Sequence, residues 1–367
     1  MSKILKSPAK YVQGPDTLKQ LDRYLQGMGN RLLVIISRSG TKRICPTLEA
    51  CFESKDYTLH YEVFQGECSQ GQIDRLVAVA EEQGSTAIVG IGGGKILDTA
   101  KGVAYYAGLP VVIVPTVAST DSPCSSLSVV YRDNGEFERY LFLDTCPDMV
   151  LVDTAVIAKA PVSLLVAGMG DAMATWFEAR ACRASGKDNQ VHAKPTRAAT
   201  GLASMCWDYL QCYGMQAKED VETGICSEAV EIIVEVNTYL SSVGFESGGL
   251  AAAHAIQKGF TFIPQLHEQY HGNKVAFCTL TQLMLEKAPE EERSAVLRFC
   301  CEVGLPVCFA DMGYSEVDHA LLRLAAEKAC VEGSTIHNMP FPVTSDMVYA
   351  ALLEADAAGR AYRAERG

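Results

Sequence analysis

The stretch Val89-Gly90-Ile91-Gly92-Gly93-Gly94-Lys95-Ile96-Leu97-Asp98-Thr99-Ala100-Lys101 decides how the chain is read. The apolar run from Ala87 to Ile91 has the composition of a buried strand. Three glycines follow it, and Ile96, Leu97, Ala100 and Val103 then recur at helical spacing. Strand, glycine turn and helix in succession aim free backbone N–H groups and a helix N-terminus at one point, where an anion is stabilised. Glycine in such a turn lets a phosphate reach the main chain. The spacing is neither G-x-G-x-x-G nor G-x-x-x-x-G-K-[ST], so a tight turn with no ligand is the competing reading, and the flanking segments must decide.

Outward from this turn, Leu32 to Ile36 reads as a short buried strand, followed by Ser37-Arg38-Ser39-Gly40 as a loop. Tyr57 to Phe64 alternates as a second strand. Ile73 to Glu82 is an amphipathic helix with Ile73, Leu76, Val77 and Ala80 on one face. Leu109 to Val114 is another apolar strand and ends at Pro115. Strands alternating with helices predict an α/β domain with a mostly parallel sheet. Ligands of such sheets lie at the carboxyl ends of the strands. Ser37, Gly92 to Lys95, and Pro115 to Asp121 all fall there, so three segments converge on one crevice and the no-ligand reading weakens. Leu127 to Arg132 and Phe137 to Leu143, joined by Asp133-Asn134-Gly135, read as a β-hairpin. Met149 to Val152 is one more strand.

Ala160-Pro161-Val162 marks the expected boundary between a domain 1–161 and a domain 162–367. Beyond it strand signals nearly vanish. Leu164–Arg183, Ala198–Tyr213, Ala229–Val243, Leu250–Gly259, Val275–Leu285, Glu291–Val303, Ala320–Cys330 and Ser345 to about Arg363 all read as helices, so the second domain is expected to be all-α. The net charge of −12 argues against nucleic acid and anionic membranes as partners. No apolar run approaches membrane-spanning length, and the start of the chain has no apolar secretory core. The 14 cysteines include no C-x-x-C pair, which favours reduced, mostly buried thiols in the cytoplasm.

The helical half carries a second signal. Gly168-Met169-Gly170-Asp171 places a carboxylate near the expected start of a helix. His254 interrupts an apolar helix, and His271 lies in Tyr270-His271-Gly272. One Asp and two His suit a divalent metal with an open position for substrate. Taken singly, an N-capping Asp and a core His are the plainer readings.

The combination resembles the iron-containing, or group III, alcohol dehydrogenase superfamily, and within it the glycerol dehydrogenases. The residues that carry the resemblance are Gly92 to Lys101; Pro115-Thr116-Val117-Ala118-Ser119-Thr120-Asp121; Gly168-Met169-Gly170-Asp171-Ala172; Val243 to His254; and Tyr270 to Ala276. They stand in the family's order across nearly the whole chain. The resemblance implies a dehydroquinate synthase-like architecture, with a Rossmann-like NAD domain and a helical metal domain. It puts the pyrophosphate on Gly93, Gly94 and Lys95, with Asp98 in the same motif. Thr116, Ser119, Ser125, Leu127 and Tyr131 would line the rest of the dinucleotide. Asp171, His254 and His271 would bind one Zn²⁺, with Fe²⁺ as the alternative, in a cleft between domains. Asp121 would lie beside the polyol, with Asp121 and His254 as the catalytic pair. The implied activity is oxidation of glycerol and related 1,2-diols to dihydroxyacetone, by a homo-oligomer (octamer or dimer). Alternatives on the same fold are glycerol-1-phosphate dehydrogenase, other polyol or alcohol dehydrogenases, and 3-dehydroquinate synthase. Lys258 and Lys274 are the cations an anionic substrate would use.

Two departures stand out. Where iron-dependent relatives carry a further His four residues after the Asp, this chain has Thr175, which favours a three-ligand site. Where glycerol dehydrogenases usually carry an Asp after the first strand, this chain has Ser37-Arg38. Without that carboxylate and with an Arg nearby, NADP is expected alongside NAD.

Overall fold

The computed structural model describes residues 2–365; residues 1 and 366–367, the outer ends of the two expected domains, lie outside the described residues. The chain forms two compact units. One comprises Lys6–Pro161 and Asp220–Ser242. The other comprises, among the described residues, 2–5, Val162–Glu219 and 243–365.

The first unit is built on a six-stranded, wholly parallel sheet of β1 (Tyr11–Gly14), β2 (Arg31–Ser37), β3 (Thr58–Phe64), β4 (Ala87–Gly92), β5 (Val111–Pro115) and a last strand, Met149–Asp153. Between β5 and that last strand, β6 (Leu127–Tyr131) and β7 (Phe137–Phe142) make a separate antiparallel hairpin, so the last strand is β8. The sheet order is β1-β8-β5-β4-β2-β3. From β2 the chain moves outward to β3, and from β4 it moves the other way to β5. The carboxyl ends of β2 and β4 therefore flank the point where strand order reverses, the usual ligand crevice of such sheets. Leu32, Val34, Ile36, Val89, Ile91, Val112 and Leu151 belong to one buried cluster on one side of the sheet. Three helices cross between strands: α1 (Arg38–Phe52), α2 (Gln70–Glu82) and α3 (Gly94–Ala107).

Two local expectations change here. Ser37-Arg38-Ser39-Gly40 is not a loop: Ser37 is the N-cap of α1, its hydroxyl accepting from the Gly40 amide at 2.9 Å, so the helix starts directly at the strand end. β1 is an addition, four half-buried residues too few to show alternation.

The second unit is helical: α4 (Val162–Ser185), α5 (Arg197–Glu222, whose last residues pass into the first unit), α8 (Ala252–Gly259), α9 (His271–Leu285), α10 (Glu290–Val303), α11 (His319–Ala329) and α12 (Ser345–Ala364). Between α5 and α8 lie α6 (Glu228–Glu235), a π-helical turn (Val236–Leu240) and α7 (Ser241–Gly248). Residues 220–242 pack with the sheet, which moves them out of the expected 162–367 domain. The cause is specific. Gln13 donates to the Glu231 carbonyl at 2.9 Å, Tyr11 and Thr238 hydroxyls meet at 2.8 Å, and Asn237 donates to the Ala118 carbonyl at 2.9 Å. None of the helices among the described residues is long and apolar enough to cross a membrane.

Candidate active site

In the helical unit, α4 and α9 touch backbone to backbone. A Cβ on Gly272 would fall 1.7 Å from the Ala167 carbonyl oxygen, and one on Gly170 would fall 2.5 Å from that of Gly272. Glycine at both positions is therefore a condition of the packing. The approach sets Asp171, in the middle of α4, beside His271, the first residue of α9. Asp171 is not an N-cap: α4 begins nine residues earlier, and the carboxylate is fully buried. His254, from the first turn of α8, completes the group. The three ligand-capable atoms lie within 4.8 Å of one another. Asp171 Oδ1 is 3.3 Å from His254 Nε2 and 3.2 Å from His271 Nε2.

A fourth residue fixes this geometry. Glu178, two turns after Asp171 on the same face of α4, is also fully buried. Its Oε2 lies 2.5 Å from His254 Nδ1, and its Oε1 accepts from the amides of Ala251 (2.8 Å) and His254 (3.0 Å). From α9, Gln282 Oε1 accepts from the amides of Ala252 and Ala253 at 3.1 and 3.0 Å. The N-terminus of α8 is thus capped by side chains of two other helices, with a carboxylate where the helix dipole favours one. With Nδ1 committed to Glu178, His254 turns Nε2 toward Asp171, as in carboxylate–histidine–metal arrangements.

The electrostatics fit a cation. Two fully buried carboxylates, Asp171 and Glu178, flank one imidazole. Burial pushes the Asp171 carboxyl up, but the His271 and His254 imidazoles outweigh it and hold the group well below the usual carboxylate range. Burial disfavours a charged His254, yet Glu178 and Asp171 outweigh that and raise it well above an ordinary histidine. Asp with two imidazole nitrogens is a donor set that suits Zn²⁺ or Fe²⁺. Thr175, one turn beyond Asp171, is buried and supplies no imidazole.

In the α/β unit, β4 runs into the glycine turn. Gly93 is the N-cap of α3 and Gly94 its first residue. At Gly92 an added Cβ would meet Ile96 Cδ1 at 2.6 Å, so that side chain would have to move. At Gly93 and Gly94 the nearest neighbours would be 3.7 and 3.6 Å away, ordinary contact, and Gly93 has φ −94°. The fold itself does not require glycine at these two positions; a ligand pressed against the backbone would. Gly92 pairs with Pro115 in register, and the Thr116 amide donates to the Gly92 carbonyl at 3.0 Å, so β5 delivers residues 116–121 beside the turn. Ser37 ends β2 on the same edge of the sheet. Lys95 is exposed and ion-paired with Glu67 at 2.6 Å.

The segment after β5 carries Thr116 (buried), Ser119 and Asp121 (half-buried), Ser125 (buried), Leu127 and Tyr131 (both half-buried). Burial, then the Asp98 charge, pushes the Tyr131 phenol up to about 12, so it stays protonated. Asp121 is held from the π-turn region: Ser241 Oγ donates to its Oδ2 at 3.4 Å, and Ser242 Oγ donates to its carbonyl. The Cys124 amide donates to Ser242 Oγ at 3.2 Å. Asp98, expected at the cofactor, is 5% exposed and turned inward, ion-paired with Lys101 at 2.9 Å. His267, exposed, places Nε2 2.9 Å from the Thr261 carbonyl. Sequence reading missed Glu178; the available signal was its seven-residue spacing from Asp171, which puts two acids on one face of an apolar helix.

The chain's likenesses agree with this geometry. The family model described as iron-containing alcohol dehydrogenase matches residues 8–154. A glycerol dehydrogenase of Escherichia coli O6:H1 is 50% identical over 365 residues, covering 100% of both chains. A glycolaldehyde reductase of Halobacterium salinarum is 41% identical, covering 99% of this chain and 100% of the relative. The crystal structure of a probable glycerol dehydrogenase from Sinorhizobium meliloti superposes with a TM-score of 0.92 at 42% identity, covering 98% of this chain and 100% of that one. A sheet with its glycine turn, a helical unit with its Asp-His-His cluster, and these full-length likenesses lead to one conclusion: the chain belongs to the iron-containing alcohol dehydrogenase family, among its glycerol dehydrogenases.

Proposed function

We propose that the chain oxidises glycerol, and related 1,2-diols, to dihydroxyacetone and its analogues, with NAD accepting the hydride and one divalent cation held by Asp171, His254 and His271. The observation that carries this reading is the cluster itself: three ligand-capable atoms within 4.8 Å of one another, two of them on fully or nearly buried residues. When bound there, a divalent cation supplies Lewis acidity, which lowers the pKa of an alcohol toward neutrality. Zn²⁺ is the proposed metal and Fe²⁺ the alternative.

The rest is the work of the chain's own side chains. Glu178 holds the His254 ring in one orientation and one tautomer. Gly93 and Gly94 leave room for a pyrophosphate at the start of α3, and Lys95 stands beside them. Asp121, steadied by Ser241 and Ser242, is assigned to orient the polyol hydroxyls. Thr116, Ser119, Ser125, Leu127 and Tyr131 are assigned to the remainder of the dinucleotide. Ser37 spends its hydroxyl on the α1 cap, and exposed Arg38 follows it, so no carboxylate repels a 2′-phosphate and NADP is accepted as well. A homo-oligomer working in the cytoplasm completes the proposal.

A neutral polyol fits better than a phosphorylated one. Lys274 is buried and donates to the Leu266 carbonyl at 3.2 Å, and burial lowers its pKa. It is committed to the fold instead of offering charge to an anionic substrate. The test is NADH formation by the purified protein with glycerol and with glycerol 1-phosphate. Turnover of glycerol at least about tenfold faster supports the reading, a gap of roughly 1.4 kcal/mol in the barrier; preference for the phosphate ester contradicts it.

A further inference from the structure

Lys101 is the largest charged side chain that the α/β unit buries completely: its side chain is 0% exposed. It lies on α3, two turns from the glycine turn. Its Nζ donates to the Ser122 carbonyl at 3.0 Å, to the Leu127 carbonyl, and to Ser125 Oγ at 3.4 Å, and sits 2.9 Å from Asp98 Oδ1. Asp98, one turn earlier on α3, accepts from the Val129 amide through Oδ2 at 3.0 Å, and its carbonyl accepts from Ser128 Oγ at 3.1 Å. Two side chains on one face of α3 thus hold residues 122, 125, 127 and 129, and the Asp98 carbonyl holds 128.

Burying an ammonium and a carboxylate costs several kcal/mol of desolvation that apolar residues of similar size avoid. Stability alone is a poor reason for such a pair. Geometry is a better one, because directional bonds to backbone carbonyls fix a segment that apolar packing would let slide. Both ends of the arrangement belong to the same proposed ligand site: α3 opens with Gly93 to Lys95, and the segment it grips carries Ser125, Leu127 and, two residues past Val129, Tyr131.

We propose that Asp98 and Lys101 are positioning residues for the dinucleotide: they lock residues 122–131 to the helix whose first turn receives the pyrophosphate, and so set the span between the two ends of the cofactor site. The proposal rests on the dinucleotide reading above, and it replaces the cofactor contact expected of Asp98 with a role one layer behind it.

The experiment is Lys101→Met in the full-length protein, titrated with NAD and separately with ADP, each followed by intrinsic fluorescence, with thermal melting alongside. ADP extends no further than the pyrophosphate, whereas NAD continues beyond it. The proposal predicts that NAD binding weakens about 10- to 100-fold while ADP binding changes less than about twofold. Asp98→Asn, which keeps the shape of the side chain, serves if Lys101→Met does not fold, and a loss of about threefold to tenfold confined to NAD is expected. Equal weakening of NAD and ADP overturns the proposal, as does unchanged NAD binding in a variant that melts at lower temperature. A wild-type protein that binds neither nucleotide removes the dinucleotide reading itself, and the proposal with it.

Discussion

Gly93 and Gly94 in the α/β unit, and Gly170 and Gly272 in the helical unit, are glycine for opposite reasons. An added Cβ at either of the first two would make only ordinary contact, at 3.7 and 3.6 Å. The second two face backbone, at 2.5 and 1.7 Å. In the proposed function the first pair leaves the main chain bare for a ligand, whereas the second brings two helices close enough for Asp171 and His271 to meet. Substitutions at the two pairs should therefore act differently, on ligand binding at the first and on packing at the second.

The largest effect belongs to the ligands themselves. Asp171→Ala should lower kcat/KM for glycerol about a thousandfold or more with loss of bound metal, while NAD affinity stays within about twofold. Metal analysis and nucleotide titration on one preparation check this. Glu178→Gln should weaken divalent-cation affinity about 10- to 100-fold, read by competition with a chromogenic chelator, because the Nδ1 partner of His254 loses its charge.

The glycine pairs are next. Gly94→Ala should leave the melting temperature near that of the parent, since alanine is at least as good as glycine in a helix, yet raise the Kd for NAD about tenfold. Gly272→Ala should do the reverse, destabilising the protein by roughly 3 kcal/mol through overpacking and leaving NAD binding intact in the folded fraction. If both substitutions affect stability alike, the distinction between open and packed glycines fails. The smallest effect is expected at Ser37. The parent should prefer NAD over NADP by less than about a thousandfold, roughly 4 kcal/mol. Ser37→Asp should widen the preference about tenfold by restoring a charge beside the 2′-phosphate.

Most of the α/β unit was legible in the sequence because its elements announce themselves locally. β2 to β5 are short apolar or alternating runs, and the glycine turn and Asp133-Asn134-Gly135 hairpin tip are chemically explicit. Helix α1 was not, because its N-cap serine is followed by Arg, Ser, Gly and Thr, a composition that also describes a loop. The metal-type residues were legible only through family resemblance. Asp171 looked like a cap because glycines precede it; Gly170 instead marks where α9 meets α4, a long-range fact without local periodicity. Glu178, Lys101 and residues 220–242 share that character. Their roles are set by partners 21 or more positions away, such as Glu178 with His254, Lys101 with Ser122, and Asn237 with Ala118.

A divalent cation at Asp171, His254 and His271 is the feature on which the proposed chemistry of this polyol dehydrogenase rests. Its most direct test is metal analysis of the purified protein, coupled to NADH formation from glycerol before chelation, after it, and after Zn²⁺ is returned. About one divalent ion per chain, activity abolished by the chelator and restored by Zn²⁺ (or by Fe²⁺ in its place) is the predicted result. Undiminished turnover in protein shown to be free of metal would contradict it.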